Sequence, residues 1–141
     1  MRVQRGMLGL CMLFMLLDSF LAIGAPARDD QAKQKVSLAQ IVCLRVAIEA
    51  YQQDHLQVPT AIEDLAPEYL KKTEVCSTDG WGRRLLYYGL RTHYLLMSLG
   101  RNGVPDHAVG ESGEFQANDY DQDTVLIDGE WVRLPSGHCA H

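Results

Sequence analysis

The residues best placed to do chemistry are carboxylates near the carboxyl end. Between Arg101 and Arg133 the chain has no Lys or Arg, and it carries Asp106, Glu111, Glu114, Asp119, Asp121, Asp123, Asp128 and Glu130. Eight like charges in one interval repel one another. The cost is mild in a solvated, screened loop and rises when the loop packs down. A hard dication taking about six to eight oxygen ligands relieves that cost, and Ca2+ suits an exported protein best. Asp119, Asp121 and Asp123 have the D-x-D-x-D spacing of an EF-hand loop, with Glu130 at the twelfth position. The match ends there, because Thr124 stands where that loop turns on Gly and the residues after it read as a hairpin, not an exit helix.

Other chemistries find less support. There is no G-x-S-x-G elbow, no local Cys–His signature and no phosphate-cradling glycine loop followed by Lys and a helix. His138-Cys139-Ala140-His141 lacks the paired spacing of a soft-ligand zinc site and reads as a chain-end tail. Trp81 lies between Gly80 and Gly82, which lets the backbone bend sharply while the indole packs as a structural plug. No catalytic residue is expected, and the chain reads as a non-enzyme.

These residues need elements to position them. From about Asp30 to Asp54 there is no Gly or Pro, and Ile41, Leu44, Ile48 and Tyr51 recur on one helical face. Pro59 then biases Val58 away from helical angles. Thr60 and Glu63 have capping-box spacing ahead of a short helical stretch that Pro67 limits. Leu85–Tyr88 and Thr92–Ser98 read as a hairpin, residues 101–120 as a long loop, and residues 124–134 as a second hairpin turning on Asp128-Gly129. The expected fold is α+β, with a long N-terminal helix packed on a small antiparallel sheet and an acidic, calcium-type loop.

The 141 residues allow one domain, and 47% apolar with 22% charged residues excludes wholesale disorder. A net charge of −5 without a basic stripe argues against a nucleic-acid partner. Arg2 and Arg5 precede the apolar run 7–25, which reads as an export signal. The expected division is residues 1–27 as signal peptide or leader and residues 28–141 as the folded domain. The inner membrane is a partner only if the leader stays on as an anchor. Export puts the remaining cysteines, Cys43, Cys76 and Cys139, in an oxidising compartment where three pairings are open. Cys43 sits in the helical pattern, whereas Cys76 and Cys139 sit in turn-like or terminal sequence, so Cys76–Cys139 is the favoured disulfide.

Several of these segments together resemble a known family. They are Ala47–His55 leading into Val58-Pro59-Thr60, then Asp79-Gly80-Trp81-Gly82-Arg83, then Tyr94–Ser98 running into Leu99-Gly100-Arg101-Asn102-Gly103. This resembles the soluble domain of the G-type major pseudopilin of type II secretion systems, over residue 33 to about residue 134. The resemblance implies a non-enzymatic subunit that assembles with its own copies and other pseudopilin or secretion-system subunits into a short filament. It implies a place in the periplasm, free or anchored in the inner membrane. It also implies structural calcium in the acidic loop. Carried over by position, Leu99 would offer a carbonyl, Asn102 stands where the family has Asp, and Asp119, Asp121 and Asp123 would supply the far side. The leader departs from the pattern, since Cys11 occupies the place of the family's Glu, so the resemblance implies that residues 1–27 are a degenerate prepilin leader if they are not a conventional signal peptide. Two readings follow: a filament subunit, or a soluble periplasmic calcium-dependent binding module that keeps the domain and has lost assembly.

Overall fold

The structure, a computed structural model, describes residues 25–106 and 112–137. The chain divides into two compact units, residues 1–30 and 31–141, and the described part of the first is the opening of a helix. Helix α1 runs Ala25–His55, starting about a turn before the sequence pattern suggests. Pro26 falls in its first turn, where a missing backbone N–H leaves no intrahelical bond unmade. The helix ends as Val58 and Pro59 turn away, with Leu56 in a left-handed conformation at φ 59°. Among the described residues no helix is long and apolar enough to cross a membrane. The expected leader, residues 1–27, lies almost wholly outside the described residues.

A 3-10 helix (Ile62–Leu65) and a short helix α2 (Thr73–Cys76) lead into the strands. The expected capping box is displaced by one residue. Asp64, not Glu63, reaches back, accepting from the Thr60 hydroxyl at 2.7 Å and from the amides of Thr60 and Ala61 at 3.1 and 3.0 Å. Glu63 instead pairs with Arg84 at 2.6 Å.

The strands are β1 (Leu86–Leu90), β2 (His93–Ser98), β3 (Gly113–Phe115), β4 (Thr124–Ile127) and β5 (Glu130–Pro135), ordered β1-β2-β4-β5-β3. The fold is therefore α+β with one long helix and a five-stranded mixed sheet. The wholly antiparallel sheet expected from the sequence needs correction, because β3 pairs parallel with β5, from Gly113 opposite Arg133 to Phe115 opposite Pro135. Three residues with one large apolar side chain are too few to show alternation, so this strand hides inside what reads as a loop. Asp128 and Gly129, at φ 50° and 84°, make the positive-φ turn between β4 and β5.

The core lies between α1 and the sheet. Ile41, Leu44 and Ile48 have no exposed surface, and they join Tyr94, Leu96, Leu126 and Leu85 in one cluster. Tyr51 packs half-buried at its margin, stacked on His55 and edge-on to Tyr69. Burying such side chains supplies about 1.5–3 kcal/mol each, and holds a helix that would be marginal alone.

The disulfide expectation is also corrected. Cys76 is bonded to Cys43, with Cα atoms 6.1 Å apart, and Cys139 lies outside the described residues. The physical reason is the fold of the intervening segment. It turns back after α1, so that α2 brings Cys76 against the helix position that sequence alone reads as a packing residue.

Candidate functional site

The motif Asp79-Gly80-Trp81-Gly82-Arg83 folds into a tight loop wedged between α1 and the end of β2. The Asp79 carboxylate is buried and accepts from the amides of Trp81 and Arg83 at 3.0 and 2.8 Å and from the Ser98 hydroxyl at 3.2 Å. Gly80 donates its amide to the Ser37 hydroxyl on α1 at 2.9 Å, and that hydroxyl donates to the Lys33 carbonyl at 3.1 Å. A Cβ at Gly80 would overlap the Lys33 carbonyl, so the loop can sit this close to the helix only with glycine there. Trp81 is half-buried and Gly82 has φ 83°.

This loop reaches the acidic region through Arg83, which donates to the Gly100 carbonyl. Gly100, at φ 59°, is the contact point of two segments: a Cβ there would meet the carbonyl oxygens of Asp121 and Gln122 at 2.6 and 2.7 Å. Beside it the Arg101 amide donates to the Tyr120 carbonyl at 2.6 Å. Residues 99–106 and 119–123 thus lie against each other, 20 residues apart in sequence and adjacent in space.

The structure places the expected calcium ligands as follows. The Leu99 carbonyl accepts from the Gly103 amide at 3.1 Å. Asn102 accepts from the Val104 amide at 3.0 Å and donates to Asp106 at 3.1 Å. Both oxygens of Asp121 accept from Arg101, at 2.8 Å each. The guanidinium holds the Asp121 carboxyl below the usual carboxylate range. Asp123 is 4% exposed and accepts from the Asp106 amide at 2.9 Å. The half-buried Asp119 donates its own amide to the Gln116 carbonyl. Among the described residues no group of three or more His, Cys, Asp or Glu side chains is arranged to hold a metal ion. Of the expected ligands, the Asp121 carboxylate is committed to a guanidinium, and the Leu99 and Asn102 oxygens accept from amides of their own turn. Asp106, one of the eight acidic residues but outside the expected ligand set, is drawn against Asp123 and has Oδ2 buried without a hydrogen bond.

Other titratable side chains among the described residues meet in pairs. His93 and Asp128 pair at 2.8 Å, and Asp128 also accepts from the Tyr94 amide, so the pair fastens the β1–β2 strand start to the β4–β5 turn. Arg45 and Glu49 pair at 2.9 Å on α1 beside Gly129. Burial pushes the neighbouring Tyr94 phenol up to about 12, which keeps it neutral. His138–His141 lie outside the described residues. A groove of about 350 Å³ is lined by Thr60–Glu63 and Arg84–Tyr88, away from the acidic loop.

No protein-family model, no curated protein and no solved structure matches the chain.

Proposed function

We propose that this chain is a non-enzymatic, pseudopilin-like structural subunit or accessory protein of a type II secretion or type IV pilus-like system. It is exported and works at or in the periplasm. One observation carries the reading. Two of the motifs on which the resemblance rests, Asp79–Arg83 and Tyr94–Gly103, interlock, since Asp79 holds Ser98 and Arg83 holds Gly100, and Ser37 on α1 holds Gly80 of the first. Residues used in this way brace a head domain against a long helix.

The partners proposed are further copies and other pseudopilin or secretion-system subunits. Cys11, standing where the family has Glu, is the residue that favours the accessory reading, since that carboxylate registers neighbouring subunits in the family. The test is the N-terminal mass of the chain recovered from its own cells, together with chemical crosslinking. A start at Met7 with a ladder of crosslinked copies is expected for a filament subunit. A soluble monomer starting near Arg28, with no ladder, refutes assembly and leaves the accessory module.

A further inference from the structure

The pseudopilin reading expects an acidic loop neutralised by calcium, and this chain carries a cation of its own at that place. We propose that Arg101 is the resident counter-cation of the acidic loop, fixing Asp121 in the role that the resemblance assigns to a metal ion. The inference rests on that reading for the expectation it replaces. The contacts that carry it belong to this chain.

The geometry is specific in three respects. The guanidinium meets Asp121 as a fork, Nε on one oxygen and Nη2 on the other, each at 2.8 Å. Paired donors of this kind match a carboxylate in direction as well as in charge. The approach is also preset by the backbone. The Arg101 amide is bonded to the Tyr120 carbonyl next to its target, and Gly100 lets the two segments touch. Arg83 in turn secures the Gly100 carbonyl, so the bracing loop holds the residue that precedes Arg101. Finally, one of the other expected ligands is neutral. Asn102 removes a negative charge at its position and uses its amide as a turn, bonding Val104 on one side and Asp106 on the other.

Among the described residues, the buried Asp106 Oδ2 lies beside Asp123, and no group of three or more His, Cys, Asp or Glu side chains is gathered to hold a metal ion. A guanidinium attached to the loop cannot dissociate, and its effect does not follow the ambient ion concentration. A bound ion, by contrast, stabilises by mass action and is stripped by chelators.

The experiment uses the full folded domain, intact at Cys43–Cys76, melted in excess chelator and in millimolar calcium. Wild type is expected to melt at the same temperature in both. Arg101→Gln and Asp121→Asn are each expected to lower that temperature by about 2–6 °C in both media, as for a well-formed exposed pair. Arg101→Lys should fall between, because one ammonium replaces a fork. The Arg101→Gln/Asp121→Asn double variant should lose no more than either single one. A calorimetric calcium titration of wild type should show no stoichiometric uptake. A wild type that melts several degrees higher in calcium, or that takes up one equivalent, overturns the proposal. So do single variants that melt like wild type. None of these results bears on the N-terminal mass or the crosslinking ladder, so the subunit reading stands or falls separately.

Discussion

Removing the Cys43–Cys76 bridge should cost this domain a large part of its stability. The two residues are 33 apart, so the bond closes a loop of that size in the unfolded chain. Loop-closure entropy for such a cross-link is worth about 3.7 kcal/mol at 25 °C. Domains of about 110 residues are stable by roughly 5–15 kcal/mol in all. The variant to make is Cys43→Ala/Cys76→Ala, because Cys76 is buried and a serine there would leave a hydroxyl to satisfy. Urea unfolding of the oxidised wild type and of the double variant supplies the assay. The expected result is a loss of about 3–4 kcal/mol with a steeper dependence on urea, since freeing the cross-link expands the denatured state. The bridge also anchors the segment that leads through Ser77 into the Asp79–Arg83 loop. The Gly100 contact should therefore loosen along with it, visible as faster amide exchange at Arg101 and Gly103. A variant within about 1 kcal/mol of wild type would refute the reasoning. A peptide map that joined Cys76 to Cys139 would refute its structural premise.

Two further outcomes test the bracing loop and its neighbours. Gly80→Ala drives a methyl into the Lys33 carbonyl, a backbone atom that cannot swing aside, and should destabilise the domain by about 3 kcal/mol or more in urea. Asp64 titrates below the usual range because the Thr60 hydroxyl and then the Ala61 amide bond its charged form. A carboxyl depressed in the folded state contributes stability above its unfolded pKa of about 3.9, and that contribution is lost as pH falls through the folded value. Stability measured from pH ~5 down to pH ~2 should therefore fall less steeply in Asp64→Asn than in wild type. An unchanged acid limb would remove Asp64 from the account.

Much of the scaffold is legible in the chain itself, because its signals are local. Ile41, Leu44 and Ile48 recur at helical spacing within one segment, and that repetition alone sets the buried face of α1. Asp128-Gly129 specifies its turn by the two positive φ angles those residues tolerate. The glycine at position 80 and the carboxylate at position 79 already mark a sharp, hydrogen-bonded bend.

Only the tertiary structure decides which distant pieces meet. Nothing along the chain states that β2 pairs with β4, that β3 lies parallel on the far edge, or that α2 carries Cys76 to Cys43. The acidic interval shows the difference most clearly. Along the sequence Arg101 marks where positive charge stops, and eight carboxylates follow before Arg133. In the fold Arg101 turns back onto Asp121, 20 residues on. Periodicity and turn preference act between near neighbours and survive in one dimension. Charge pairing and strand order depend on how loops close around a shared core, which one dimension does not contain.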